Sequence, residues 1–160
     1  MTDFEALLNT LDRNRVEYIV VGGTAALAHG SARLTQDLDI VYSRSPGNLD
    51  RLVSALENLK PYLRGAPPGL PFVWDRVTLL RGLNFTLETS VGFIDLLGEI
   101  PGGGTYTDLV ASSVELRLFA GTCKCLSLDQ LIRAKRAAGR PKDLEALAEL
   151  EALREEISNG

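Results

Sequence analysis

Val20-Val-Gly22-Gly23-Thr24-Ala-Ala-Leu-Ala-His29-Gly30-Ser-Ala-Arg33-Leu-Thr-Gln36-Asp37-Leu38-Asp39-Ile40-Val-Tyr42 is the stretch that decides the fold. The apolar run Tyr18 to Val21 has the length and composition of a strand buried on both faces. It runs into the pair Gly22-Gly23, which opens a short alanine-rich helix that stops near Gly30. A second apolar run, Gln36 to Tyr42, carries Asp37 and Asp39 two residues apart. In a strand, residues i and i+2 share a face. Leu38 and Ile40 therefore point one way and both carboxylates the other. Two like charges side by side on a sheet are unfavourable unless a cation neutralises them, and hard divalent ions take carboxylate oxygens. Glycine turns that open a helix bind phosphate through free backbone N–H groups. A metal site beside a phosphate cradle implies chemistry on a nucleotide.

Outward from this stretch, the N-terminal side begins with Thr2 and Glu5, spaced as a capping box. Phe4, Leu7, Leu8 and Leu11 then form one helical stripe. On the C-terminal side, Ser45-Pro46 supplies an N-cap and a proline at the first helical position. Leu49, Leu52, Val53 and Leu56 form that helix's buried face, and Pro61 ends it. Residues 61 to 71 are rich in proline and glycine and read as a loop, a mobile one by composition. Phe72 to Arg81 reads as a short helix. Leu83 to Glu88 and Val91 to Leu97 read as strands joined by a turn at Thr89-Ser90. Gly102-Gly103-Gly104 reads as a flexible loop; without a following Gly-Lys-Ser/Thr it is not a P-loop. Val114 to Phe119 and Cys123 to Leu126 form a further hairpin. Ser127 and Gln130 are spaced as a capping box for a helix ending at Gly139. Pro141 opens the last helix, with Leu144, Leu147 and Leu150 on one side. The order of elements predicts an α+β fold: a mixed α/β sheet flanked by helices, with a helical C-terminus. A doubly wound sheet would need more βα alternation after residue 60. The division expected is a core over 1–126 and C-terminal helices over 127–160 packed on it.

Composition narrows the function classes. A chain of 160 residues suits one domain with a sizeable core. Its hydrophobic fraction of 45% and charged fraction of 24% are those of an ordinary globular protein. A net charge of −4 argues against a binder of nucleic acid over its whole surface. No apolar run is long enough to span a bilayer, and no secretory signal is visible, so a cytoplasmic location is expected. Cys123 and Cys125 do not have zinc or thioredoxin spacing. The single histidine excludes sites built on several histidines.

Gly22-Gly23, thirteen residues, then Asp37-Leu38-Asp39 resembles the signature of the DNA polymerase beta-like nucleotidyltransferase superfamily. Within it, the chain is most similar to the small prokaryotic nucleotidyltransferases that include abortive-infection and toxin–antitoxin enzymes. Asp95, in Val91-Gly-Phe-Ile-Asp-Leu-Leu97, fits the third carboxylate of that pattern. Gly23-Thr24 stands where many relatives have Gly-Ser. The resemblance implies a nucleotidyltransferase-like fold and a magnesium-dependent enzyme. Such an enzyme moves a nucleoside monophosphate from a triphosphate to an acceptor hydroxyl: an RNA 3′ end, a protein or a small molecule. It implies catalytic and metal-binding roles for Asp37, Asp39 and Asp95, with two magnesium ions. It also implies a nucleotide-binding role for Gly22, Gly23 and Lys135, a toxin–antitoxin or phage-defence setting, and an antitoxin-like partner. Thr24 either adds a hydroxyl contact or is only the first helical residue. Arg33 either meets phosphate or acceptor or is a surface charge. Lys142 and Asp143 are left open, Asp143 having a simple alternative as complement to a helix N-terminus. His29 reads as a helix-end residue and Trp74 as a packing residue. The alternative from another class is a non-catalytic module that binds a nucleotide or a partner on the same fold.

Overall fold

A computed structural model describes residues 1–159. The chain begins with α1 (Phe4–Arg13), β1 (Tyr18–Val21), α2 (Gly22–Ala28), β2 (Asp37–Tyr42) and α3 (Pro46–Leu56). It continues through β3 (Tyr62–Leu63), α4 (Arg76–Arg81), β4 (Phe85–Thr89) and β5 (Gly92–Leu97). The small ribbon β6 (Glu99–Ile100) and β7 (Gly104–Thr105) leads into α5 (Tyr106–Leu109) and the hairpin β8 (Val114–Leu118) and β9 (Gly121–Cys125). α6 (Leu128–Ala138) and α7 (Pro141–Asn159) follow. Seven strands form one mixed sheet in the order β3-β4-β5-β2-β1-β9-β8, as the sequence predicts in class. α3 packs against α1 and α4, and α6 packs against α2 and α7.

The centre of the sheet is where sequence pattern and register meet. β2 runs antiparallel to β1 and parallel to β5, with Leu38 opposite Ile94, Asp39 opposite Asp95 and Ile40 opposite Leu96. Leu38, Ile40, Ile94 and Leu96 have no exposed surface. Because side chains alternate in step on paired strands, burying these four on one face forces the carboxylates of both strands together on the other.

Several local expectations shift. The α1 cap is Asp3, whose side chain accepts from Ala6 N–H, rather than Thr2. The Thr2 hydroxyl instead donates to Gln36 O and accepts from Phe93 N–H at 3.0 Å, closing the gap between the starts of β2 and β5. Ser45 stands at the start of α3, but its hydroxyl makes no capping bond. The segment 61–71 is not wholly loop: β3 pairs with β4, and the Tyr62 hydroxyl donates to Pro67 O at 2.5 Å. The β4–β5 turn falls at Ser90 and Val91. Gly102 and Gly103 lie in the turn of the β6–β7 ribbon, with Gly104 the first residue of β7. On α7, Leu144 is 53% exposed; Asp143 and Leu150 are buried with Leu147 partly buried between them, because the i, i+4, i+7 face meets the core. The Ser127–Gln130 capping box and the left-handed Gly139 at the end of α6 stand as predicted. Trp74 packs on the core and donates its indole N–H to Val53 O. No helix among the described residues is long and apolar enough to cross a membrane.

One buried polar side chain fixes α3 against the sheet. Asn48 is fully buried; it accepts from Glu17 N–H at 2.7 Å and donates to Glu17 O at 3.0 Å and Ser43 O at 2.8 Å. Glu17 precedes β1 and Ser43 follows β2, so one amide ties both strand ends to the helix. Asn48→Ala removes the partner of Glu17 N–H and Ser43 O and leaves Glu17 O with Ser43 N–H as its remaining donor. It is expected to cost about 2–3 kcal/mol, a fall in melting temperature of about 5–10 °C for a chain of this size. Thermal and urea unfolding monitored by circular dichroism check this.

Candidate active site

Asp37, Asp39 and Asp95 each bring one carboxylate oxygen within 4.8 Å of the other two. All three are half-buried. The register of β2 and β5 sets Asp39 and Asp95 side by side, and Asp37 lies one pleat before Asp39. Asp39 Oδ1 is buried and has no hydrogen-bond partner, which is costly for a charged oxygen unless something else meets it. Burial first, then the facing Asp95 and Asp37 carboxylates, push the Asp39 pKa up to about 8, while Lys135 pulls it down. A cluster of acidic oxygens with one left unmet is the donor set a hard cation prefers, and it can hold one.

The glycine pair comes very close to this cluster. Gly22 has φ +62°, and a Cβ there would collide with Asp39 Oδ2. A Cβ on Gly23 would come within 2.9 Å of Thr35 Oγ1. The turn is therefore glycine because β1 must hand over to α2 against the aspartate strand. Thr24 is fully buried and its hydroxyl donates to Asp37 O at 3.1 Å, which pins α2 to β2 behind the cleft wall. His29 ends α2 and its Nε2 lies 2.8 Å from Leu126 O.

The carboxylates and the glycine turn line a cleft of about 430 Å³. The same cleft is lined by four cations, Arg33 from the α2–β2 loop, Lys135 from α6, Arg140 from the α6–α7 turn and Lys142 from α7, together with Asp143 and Glu149 of α7. Asp143 organises two of these cations. It is fully buried, and it accepts from Arg140 Nε at 2.7 Å, Arg140 N–H at 3.2 Å and Lys135 Nζ at 3.3 Å. The Arg140 bonds first, then Lys135, hold its carboxyl down at about 2, against burial. Arg33 makes only a loose pair with Glu145 at 3.8 Å, both side chains largely exposed. The expected site residues thus meet around one cleft, except Thr24, which lies behind it.

Two residues were not singled out from the sequence. Arg140, just before Pro141, carries no local signal that separates it from a surface charge. Arg64 was hidden in the Pro/Gly-rich segment; it donates to Asp37 Oδ2 at 3.3 Å and to Asp95 Oδ1 at 2.8 Å. A lone arginine without periodicity gives no local signal. The clue available was the charge of three aspartates, which the nearby Arg33 alone does not balance.

The raised Asp39 pKa sets a pH dependence. The folded state keeps a proton that the unfolded chain releases above its ordinary value near 3.8. In metal-free buffer this site's contribution to stability is therefore full below pH 3.8 and falls progressively up to about pH 8. Asp39→Asn is expected to abolish that decline and to melt higher than the parent at pH 8 in chelator. Melting curves across pH 5 to 9 test it; an unchanged pH profile would contradict the burial of an ionisable Asp39.

No protein-family model matches the chain, and no curated protein matches it by sequence. Solved structures do. The chain is similar to the lincosamide antibiotic adenylyltransferase LnuA bound to lincomycin, with a TM-score of 0.61 at 17% identity over 95% of this chain and 98% of that one. It is also similar to ANT(2″)-Ia in complex with adenylyl-2″-tobramycin, with a TM-score of 0.55 at 16% identity over 97% and 94%. A third is an antigenic nucleotidyltransferase-like protein from Paracoccidioides brasiliensis, with a TM-score of 0.52 at 17% identity over 96% and 78%. At these identities the likeness establishes architecture: the chain has the nucleotidyltransferase fold.

Proposed function

We propose that the protein is a metal-dependent nucleotidyltransferase that transfers a nucleoside monophosphate from a triphosphate to the hydroxyl of a small molecule. The observation that carries this reading is the convergence of Asp37, Asp39 and Asp95 in a cleft also lined by four cations. A ligand that satisfies both sets must carry a metal for the one and phosphates for the other. A nucleoside triphosphate chelating magnesium does so.

In this reading Asp37, Asp39 and Asp95 would hold the magnesium, two ions being expected. Bound magnesium would neutralise phosphate charge and lower the pKa of the acceptor hydroxyl. Gly22 and Gly23 give the triphosphate close access to the backbone. Lys135, set by Asp143, meets the triphosphate oxygens as a point charge. Arg33, loosely held at the rim, turns from Glu145 toward phosphate. The acceptor oxygen bonds to the α-phosphorus as the bond to the departing pyrophosphate breaks, and Asp95 takes the hydroxyl proton.

Support for a small-molecule acceptor comes from two of the structural neighbours, one solved bound to an antibiotic and one with an adenylylated antibiotic. An RNA 3′ end, a protein acceptor, a toxin–antitoxin setting and an antitoxin-like partner gain no support from them.

Incubation with each α-labelled triphosphate, magnesium and a panel of polyhydroxylated small molecules and cell extract is expected to label a small-molecule fraction. Asp37→Asn and Asp39→Asn are each expected to lower transfer by at least about a hundredfold while the circular dichroism spectrum is unchanged. Transfer at the parent rate by either variant contradicts the assignment, and binding without transfer to anything returns the non-catalytic module. Lys135→Ala is expected to weaken triphosphate binding by about 10–100-fold, the scale of a lost charged hydrogen bond. Arg140 still pairs with Asp143, so folding is retained. Titration calorimetry with the triphosphate measures this.

A further inference from the structure

Arg64 sits where a metal would have to work. It follows β3, and its backbone N–H donates to Thr86 O at 3.0 Å. Its guanidinium reaches over the start of β5, 4.5 Å from the Phe93 ring centroid. One terminal nitrogen donates to Asp37 Oδ2 at 3.3 Å; the other donates to Asp95 Oδ1 at 2.8 Å and to Leu87 O at 2.7 Å. The side chain is only 20% exposed. Arg64 thus neutralises two of the three carboxylates and leaves Asp39 Oδ1 unmet.

This arrangement conflicts with a loaded site. A carboxylate oxygen that binds magnesium does so at about 2.0–2.1 Å. A guanidinium bonded to the same carboxylates then stands within a few ångströms of the metal and repels it. Both cations compete for Asp37 and Asp95. Arg64 is also imperfectly satisfied where it lies, since its Nε is buried without a partner. The neighbouring Gly65 takes φ +77°, and a Cβ there would meet nothing within 4 Å. A planar guanidinium pairs as well with phosphate as with carboxylate.

We propose that Arg64 is the resident counter-cation of the metal-free site and gates metal entry, holding Asp37 and Asp95 until a metal–triphosphate complex displaces it. The gate rests on the reading of the cleft as a metal–nucleotide site. It makes metal and nucleotide arrive together. Metal alone must evict Arg64 with nothing offered in return, whereas a metal carried by a triphosphate brings phosphate oxygens for the guanidinium to take up. A purely structural Arg64 has the opposite consequence: without it, Asp37 and Asp95 splay apart and the metal site weakens.

Manganese binding to the nucleotide-free protein separates the two, because they differ in sign. Free Mn²⁺ is measured by electron paramagnetic resonance during titration of the parent, Arg64→Gln and Arg64→Lys, each confirmed folded by circular dichroism. Arg64→Gln is expected to bind Mn²⁺ about tenfold tighter than the parent, a difference of about 1.4 kcal/mol. Arg64→Lys, with one compact charge and no fork, falls between them. The advantage shrinks when a non-hydrolysable triphosphate is present. Equal or weaker Mn²⁺ binding by Arg64→Gln overturns the gate. If that variant does not fold, Arg64→Lys decides alike, with tighter binding than the parent supporting the gate and equal or weaker binding overturning it. The underlying site fails separately: a parent that takes up no Mn²⁺ even with every triphosphate removes the metal–nucleotide reading and the gate with it.

Discussion

Three carboxylates forced onto one face of two parallel strands are the constraint that the rest of the structure answers to. The force is apolar: Leu38, Ile40, Ile94 and Leu96 are fully buried on the other face, and a one-residue slip in β2 or β5 would expose them and bury the aspartates. The register that satisfies the core therefore creates the electrostatic problem. Each neighbour of the cluster bears on it. Gly22 has no Cβ because Asp39 occupies that space. Thr24 spends its hydroxyl on Asp37 O, fixing the turn against the strand. Thr2 bridges the starts of β2 and β5, the two strands that carry the aspartates. Arg64 supplies the charge that neither strand can.

The cations of the cleft pose the inverse problem, and one residue answers it. Lys135 and Arg140 converge on Asp143, which is buried to the last atom yet stays ionised because both cations meet it. A buried acid between two bases sets their position at the cost of part of their charge. What is left over, with Arg33 and Lys142, faces the cleft. Three aspartates and four cations so line one cleft of about 430 Å³, the charge pattern that the proposed metal–triphosphate would complement.

Much of this was legible in the sequence because it is local. The i, i+2 spacing of Asp37 and Asp39 between buried apolar residues gives their shared face without a structure, and Gly22-Gly23 marks the turn by composition. The capping box at Ser127 and the glycine at 139 are equally local. The failures are long-range. Thr2 has the spacing of a cap, but its hydroxyl goes to residues 36 and 93, so Asp3 caps instead. Leu144 has the spacing of a core residue, yet α7 turns Asp143 inward because Lys135 and Arg140 wait there. Arg64 lies among prolines and glycines that promise only a loop; its partners are 27 and 31 residues away. Ion pairs formed across a sheet leave no periodicity to read.

The central claim is that Asp37, Asp39 and Asp95 share a divalent cation with a triphosphate lying against Gly22-Gly23 and Lys135. Crystals grown with manganese and a non-hydrolysable nucleoside triphosphate test it most directly, through the anomalous signal of the metal. A peak between the three carboxylates is expected, with the triphosphate running from that peak toward Lys135. A triphosphate bound elsewhere, or bound in this cleft with no metal at the aspartates, would contradict it.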